Sequence, residues 1–327
     1  LKELIESGRR FVSQVYIPDL LAVASFYKDW AGYGGGVGNF MVYGDYPLDD
    51  EATPDKFIKS GIIRNQDLSV IEEFDPSKIT EEITHSWYTY DEGESAKLHP
   101  AQGETNPNYT GPEPPYERLN VAEKYSWLKS PRYDGVPMEV GPLARMLVNY
   151  AQGHEQVVPQ VNHVLKTLGV GPEALFSTLG RVAARGIETQ ILVDKIGDFV
   201  DELAANMGQG ELRIHDNSKW EPSSWPKDAV GAGFHEAPRG ALGHWVHIQD
   251  EKIARYQCVV PSTWNAGPRD GSDTPGPYEA ALVGTPIADP EQPIEILRTV
   301  HSFDPCLACG VHVVEPGGRE ITRVKAR

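Results

Sequence analysis

The sequence is poor in cysteine, in long apolar runs and in basic residues. Three cysteines in 327 residues cannot make a disulfide framework. No run of 18 or more apolar residues occurs, so no membrane-spanning helix is predicted. Lys and Arg number 30 against 47 Asp and Glu, and the net charge of -17 argues against nucleic acid as a partner. The plain interpretation of this charge is solubility.

What remains describes an ordinary globular protein. The composition is 40% hydrophobic and 24% charged, and the length is sufficient for a large core. No internal repeat and no obligatory linker is found, so residues 1–327 are predicted to form a single domain. The chain begins at Leu1, without an initiating Met or a visible signal peptide, which suggests a fragment or a processed product.

The first third of the chain mixes helical and irregular patterns. Apolar spacing predicts helix over residues 1–30, interrupted by Pro18. The glycine-rich stretch 32–38 follows a helix and precedes a strand at 40–43, so we interpret it as a turn rather than a phosphate loop. Residues 44–135 are predicted to be an ordered but irregular layer, with short strands at 62–63 and 69–71.

Residues 139–206 carry the strongest helical pattern. Pro142 should begin one helix that Gly153 ends, and Gly169 should close a second that begins at residue 157. Pro172 should open the third. Its predicted core-facing stripe is Leu175, Leu179, Val182, Gly186, Val193, Ile196 and Val200. The fold class is therefore α+β, mainly helical, with a central helix bundle, small β-hairpins and long irregular surface segments.

The last third is predicted to bring distant residues together. After a polar loop at 210–230, a hairpin of strands 241–248 and 253–260 would place Arg239 and the Pro261–Ser262 pair at the same end. Helices are expected at 278–283 and 293–303, and Pro305 should end the second.

Residues 304–312 read Asp-Pro-Cys-Leu-Ala-Cys-Gly-Val-His and concentrate metal-binding groups. Cys306 and Cys309 are spaced so that two thiolates can converge on one ion, with His312 three residues further on. Sulfur ligands favour zinc, copper(I), nickel or iron. Spacing alone leaves open a redox pair, half of a structural zinc site with Cys258 as the only other thiol, or two inert buried cysteines.

The full motif resembles the C-terminal metal motif of nickel-iron hydrogenase large subunits. Seven further stretches are similar to that family in the same order, most of all to its membrane-associated respiratory uptake group. These are residues 27–32, 84–88, 98–100, 103–105, 138–145, 236–245 and 259–265.

The resemblance implies a set of metal ligands. Cys306 would be a terminal nickel ligand, and Cys309 would bridge nickel to an iron that carries carbon monoxide and cyanide. His312 would bind a nearby Mg²⁺, to which the position of Cys258 would lend a backbone carbonyl. Two further thiolates come from an N-terminal Arg-x-Cys-Gly-x-Cys motif in the family, and this sequence has no such motif.

The resemblance also assigns groups around the metals. Arg239 would project over their open face as a catalytic group, paired with Asp304 in a dry pocket. Pro238, Pro261 and Ser262 would line the cofactor, and the Ser262 hydroxyl and N–H suit a cyanide nitrogen.

The resemblance further implies partners, processing and location. A small subunit would carry iron-sulfur clusters, and a membrane cytochrome b would receive the electrons on the periplasmic side of the membrane. A maturation protease would cut after His312, which makes residues 313–327 a cleavable extension. Two rival interpretations are a metal-free hydrogenase-like subunit of a respiratory complex and a zinc-binding interaction domain.

Overall fold

The computed structural model describes residues 1–51, 53–113 and 118–306, and the backbone of 310–314 and 320–325. Its architecture is α+β and mainly helical, as the sequence predicts. The α-helices are α1 Lys2–Phe11, α2 Ile17–Ala24, α3 Pro142–Ala151, α4 Val157–Leu168, α5 Thr178–Gly208, α6 Pro261–Ala266, α7 Pro277–Leu282 and α8 Ile294–Ser302.

Short strands surround the helices, and one larger sheet stands beside them. The strands are β1 Phe40–Val42, β2 Asp45–Pro47, β3 Lys56–Ile58, β4 Gly61–Ile63, β5 Ile79–Glu82, β6 Tyr88–Tyr90, β7 Thr105–Pro107, β8 Ser130–Tyr133, β9 Asp228–Ala237, β10 Gly240–Gln249, β11 Lys252–Val259, β12 Gly310–Val314 and β13 Glu320–Lys325.

Strand β1 separates two hydrophobic cores because its side chains alternate between its faces. Phe40 and Val42 pack into a helical core built from α2, α3, α4 and α5. Met41 and Tyr43 face a second core that contains Trp245 of β10 and Trp264 of α6. The second core thereby joins the sheet to the helical body at the end where β9 turns into β10.

The predicted hairpin of β10 and β11 is confirmed as an antiparallel pair. It is the larger part of a three-stranded sheet in the order β11–β10–β9, so the loop predicted for 210–230 ends earlier than expected. Strand β9 was missed because its two glycines, Gly231 and Gly233, weaken the strand signal.

The N-terminal helix is continuous across Pro18 but changes its winding before it. A π-helical turn, Val12–Tyr16, joins α1 to α2, and Pro18 lies in the first turn of α2. Pro18 has no N–H to continue the helical hydrogen bonds across this junction, and the change of winding falls just before it, where that bond is missing. The helix stops at Ala24 rather than residue 30, and a 3-10 turn follows at Lys28–Gly32.

The glycine-rich stretch lies against the beginning of α5. Gly36 has φ +68°, and a Cβ there would lie 2.8 Å from the Arg181 guanidinium. Gly34 accepts a hydrogen bond from Arg181 Nη1 at 2.7 Å. Glycine lets the backbone pass this close to a buried side chain.

Helix α5 differs from its prediction in its start and in its buried face. Pro172 opens only a 3-10 turn, Pro172–Leu175, and the helix begins after Ser177, whose Oγ accepts the N–H of Gly180. Of the predicted stripe, Val182 and Ile196 are exposed. The buried residues are Thr178, Gly180, Arg181, Ala183, Ala184, Gly186, Ile187, Glu188 and Ile191.

The irregular layer is ordered by small pieces of sheet. The strand predicted at 62–63 is present as β4, but 69–71 is not a strand. The rings of His85 and His99 each bond a backbone carbonyl, that of Glu123 at 2.7 Å and that of Pro76 at 3.3 Å, which is a structural use of these histidines. Within the described residues, no helix combines the length and hydrophobicity needed to cross a bilayer.

Candidate metal centre

The segment that follows α8 meets the turn between β9 and β10. Arg239 lies in that turn, and its Nε donates to the Asp304 carbonyl oxygen at 2.8 Å while Nη2 is 3.3 Å from Asp304 Oδ1. The two side chains are 35% and 41% exposed in this chain, so the ion pair is present and the dry pocket around it stays a prediction.

The end of α8 fixes the backbone of Asp304. The helix stops at Ser302, and Asp304 adopts φ +57°, a left-handed conformation that aspartate tolerates. Arg185 of α5 donates to the Ser302 carbonyl at 3.0 Å, which places a cation at the negative end of the helix. The chain therefore turns sharply into Pro305 and Cys306.

The backbone of Cys306 is hydrogen-bonded to a side chain at the start of α6. Its N–H donates to Ser262 Oγ at 3.2 Å, and its thiol is exposed and free of disulfide bonding. Ser262 is 5% exposed and follows Pro261, which is buried at the first position of α6, whereas Pro238 is exposed in the turn beside Arg239. The structure thus brings Cys306, Asp304, Arg239 and Ser262 into one neighbourhood.

The rest of the predicted motif is only partly described. Cys309 lies outside the described residues, and His312 is described by its backbone alone, paired with Arg323 in the β12–β13 hairpin. Within the described side chains, no group of three or more His, Cys, Asp or Glu is placed to hold a metal ion. The metal roles of Cys306, Cys309, His312 and Cys258 stay predictions.

Cys258, near the end of β11, lies close to the buried carboxylate of Glu81 on β5. Although the Cys258 side chain is exposed, partial desolvation by its neighbours raises the pKa of the thiol, and the charge of Glu81 raises it further. Glu81 Oε2 accepts from Lys129 Nζ at 2.6 Å and from Gln257 Nε2 at 2.9 Å. Glu81 Oε1 is buried and has no hydrogen-bond partner among the described residues. An orphaned carboxylate oxygen suits a hard cation such as Mg²⁺ or its bound water, so the donor chemistry here fits the predicted ion.

A buried charged cluster lies beneath the Arg239 turn, and the sequence reasoning missed it. Arg145 of α3 forms an ion pair with Glu188 of α5 and bonds Glu236 of β9 at 2.9 Å. The same guanidinium donates to the carbonyls of Ala237 at 3.1 Å and Pro238 at 2.9 Å. Arg145 and Glu236 stand within two of the stretches that carry the family resemblance, which was the available signal.

Helix α5 contributes three charged side chains to this region at spacings of four and three residues, so they share one face. Arg181 forms a bidentate pair with Glu139 and lies 3.8 Å from the ring of Phe303. Arg185 contacts the end of α8, and Glu188 pairs with Arg145. This charged face lies beside the predicted apolar stripe and supports the Arg239 turn and the 302–306 segment.

Comparison with known proteins shows which family the chain belongs to. A model of the nickel-dependent hydrogenase family matches residues 1–312. The uptake hydrogenase large subunit of Bradyrhizobium diazoefficiens is 46% identical over 340 aligned residues, covering 100% of this chain and 57% of that protein. The hydrogenase-1 large chain of Escherichia coli K12 is 42% identical, with the same coverage.

Solved structures agree with the sequence comparisons. An H2-activated [NiFeSe]-hydrogenase of Dm. baculatum superposes with a TM-score of 0.77 at 33% identity, over 92% of this chain and 57% of that one. A [NiFeSe] hydrogenase variant of Desulfovibrio vulgaris Hildenborough gives 0.76 at 34% identity, over 92% and 58%. The chain thus spans a little over half the length of these relatives, and it belongs to the nickel-dependent hydrogenase family.

Proposed function

We propose that this chain forms the catalytic large-subunit part of a nickel-iron hydrogenase that cleaves H2 heterolytically. The observation that carries the proposal is the hydrogen bond from the Cys306 N–H to Ser262 Oγ, next to the Arg239–Asp304 pair. The chain that holds this arrangement is 46% identical to an uptake hydrogenase large subunit. Electrons would pass to an iron-sulfur small subunit. Because the chain covers 57% of that relative, the whole enzyme needs polypeptide that the relatives carry beyond this span.

The proposed centre draws its protein ligands from the 304–312 motif. Cys306 would hold nickel as a terminal thiolate and Cys309 would bridge nickel to iron, with carbon monoxide and cyanide as the iron's other ligands. His312 and the Cys258 carbonyl would hold Mg²⁺ beside Glu81. When bound, the nickel-iron group supplies a soft, redox-active Lewis acid that binds H2 and accepts its electrons.

Arg239 would act on hydrogen through its fixed positive charge. Its guanidinium keeps donors that are not committed to Asp304, because only Nε and Nη2 make that contact. Such a charge would polarise H2 by attracting its electron density, and the proton would leave towards a base other than the charged guanidinium, which has no lone pair to accept it. Asp304 orients the guanidinium, while Ser262 holds the Cys306 backbone and offers its hydroxyl proton to an anionic acceptor such as cyanide.

Processing and location follow as parts of the same proposal. The family model stops matching at His312, the residue after which a maturation protease would cut, which supports residues 313–327 as a removable extension. We place the mature enzyme on the periplasmic side of the membrane, attached through its small subunit to a cytochrome b.

The test is elemental analysis with infrared spectroscopy on the full-length protein, co-expressed with its small subunit and maturation factors. We expect nickel and iron in equal amounts and bands of metal-bound carbon monoxide and cyanide. Zinc alone would contradict the proposal in favour of an interaction domain. A metal-free protein would contradict it in favour of a hydrogenase-like respiratory subunit.

A further inference from the structure

The turn that carries Arg239 is held from beneath by one buried guanidinium. Arg145 is 3% exposed and lies on α3, far from the turn in sequence. Its Nη1 and Nη2 donate to the carbonyl oxygens of Ala237 and Pro238, the two residues that precede Arg239. Arg145 is therefore bonded directly to the backbone that determines where the Arg239 side chain begins.

The remaining contacts of Arg145 fix the guanidinium itself. Glu188 binds it through both carboxylate oxygens, and Glu236 Oε2 accepts from Nη1 at 2.9 Å. Glu236 is in turn held by the N–H of Tyr43 at 2.7 Å. A planar fork with several fixed donors can satisfy two carboxylates and two carbonyls together, whereas the single ammonium of lysine cannot.

The backbone on the other side of the turn is equally constrained. Gly141 and Gly240 have φ +119° and +129°, and a Cβ on Gly240 would lie 2.5 Å from the Gly141 nitrogen. A Cβ on Gly141 would lie 2.8 Å from the Arg239 carbonyl oxygen. Helix α3 thus contacts the turn twice, through the Gly141 backbone and through Arg145.

Stability is a weak reason for burying this cluster. Removing three charges from water costs several kcal/mol per ion, and apolar replacements of buried ion pairs are often neutral or stabilising. Although burial lowers the pKa of the Arg145 guanidinium, Glu188 and Glu236 outweigh that effect and raise it, so the group stays charged. A permanently charged, rigid anchor is suited to defining a position.

We propose that Arg145 is a positioning residue that sets the guanidinium of Arg239 through the 237–238 backbone. This inference rests on the proposed function, in which Arg239 acts on hydrogen. When Arg145 is shortened, the turn relaxes and the Arg239 guanidinium leaves its bond to the Asp304 carbonyl. A displacement of about 1 Å at a catalytic group lowers turnover by about 10- to 100-fold.

The experiment uses the full-length enzyme with its small subunit and compares Arg145→Lys with Arg132→Lys. Arg132 is a matched control, because it is fully buried, bonds Asp270 at 2.8 Å and donates to the carbonyls of Pro131 and Thr274 at 2.9 Å. We measure H2-dependent dye reduction per nickel, and determine a crystal structure of each variant. We expect Arg145→Lys to lower turnover about 10- to 100-fold, and Arg132→Lys to leave it within about threefold even if both lower Tm.

A double-mutant cycle separates positioning from general destabilisation. In an Arg239→Lys background, Arg145→Lys should reduce turnover by less than about threefold, because the group it positions is already gone. Additive losses in the two backgrounds would overturn the inference, as would a crystal structure of Arg145→Lys in which the Arg239–Asp304 bond keeps its 2.8 Å length.

A milder variant covers the case in which Arg145→Lys does not assemble. Glu188→Gln keeps the side-chain volume but removes the negative charge that pairs with Arg145. Turnover per nickel should therefore fall at least about threefold, and this loss should again be non-additive with that of Arg239→Lys. Unchanged turnover would overturn the inference. A nickel-loaded parent enzyme without H2 oxidation would instead refute the proposed function, and the crystal structures would still decide the positioning.

Discussion

Cys306 and Cys258 are both exposed thiols without a disulfide, yet their surroundings predict different roles. Cys306 leaves a sharp turn and has its N–H fixed by Ser262, so its thiol points from a rigid backbone. Cys258 lies in an antiparallel strand opposite His244. We expect Cys306→Ser to abolish nickel retention in the complete enzyme, because a hydroxyl is a hard, weakly acidic replacement for a thiolate.

The matched control is Cys258→Ser, which changes the same atom in the same residue type. Only the backbone carbonyl of this position is assigned to a metal, so nickel content measured by mass spectrometry should stay equal to that of the parent. Full nickel occupancy in Cys306→Ser would refute the ligand assignment.

Gly141 illustrates a residue whose importance is steric. Gly141→Ala should lower the free energy of unfolding by about 2–4 kcal/mol, because it adds strain at φ +119° to a clash with the Arg239 carbonyl. Gly153→Ala is the control, since Gly153 also has positive φ (+73°) but no atom lies within 4 Å of its added Cβ. We expect that variant to lose about 1 kcal/mol in urea unfolding. Equal losses would show that the contact with the turn carries no energy.

At the residue scale, the hairpin pattern predicted that Arg239 and the Pro261–Ser262 pair lie at one end, and the other site residues were predicted from the family resemblance. The proximity of Arg239 to Asp304 came from the resemblance, because 65 residues separate them. Arg145 was not recognised, since a lone arginine in an apolar helix carries no local sign of its partners. Glu188 and Glu236, which neutralise it, come from other elements and meet it only in the folded chain.

At the element scale, α5 shows which of two apolar positions faces the core. Ile191 is 2% exposed within the helical core, whereas Ile196, a member of the predicted stripe, is 48% exposed. We expect Ile191→Ala to cost about 2–5 kcal/mol by opening a cavity. Ile196→Ala should change stability by less than about 0.5 kcal/mol. Chemical denaturation of both variants measures this, and a larger loss at Ile196 would restore the stripe predicted from sequence.

Element boundaries were predictable where one residue decides them locally. Pro142 begins α3, and Gly169, with φ +66°, caps α4 as predicted. The start of α5 was wrong because a good first-turn residue, Pro172, precedes a better cap, Ser177. Strand β9 could not be predicted, because its extended conformation depends on hydrogen bonding to β10 rather than on the strand propensity of its own residues.

At the scale of the whole molecule, the net charge of -17 and several buried carboxyl groups both lower the stability of the fold as pH rises. Burial raises the pKa of Glu81, Glu236 and Glu279 in the folded chain. A carboxyl with a raised folded pKa contributes stability that is present below its unfolded value of about 4.3 and is lost as pH rises through the folded value. Repulsion among the excess negative charges grows over the same range. We therefore expect Tm to fall as pH rises from 5 to 8.

Glu279→Gln tests the local part of this pH dependence. Glu279 accepts the Tyr125 hydroxyl at 2.5 Å, a bond that a glutamine oxygen can keep, so the substitution removes mainly the cost of burying a charge. Exposed Glu291→Gln is the control, because each variant removes one carboxylate and changes the net charge from -17 to -16. Thermal unfolding from pH 5 to 8 should show a shallower fall in Tm for Glu279→Gln than for Glu291→Gln. Equal slopes would mean that overall repulsion, and not burial of this carboxyl, determines how the molecule responds to pH.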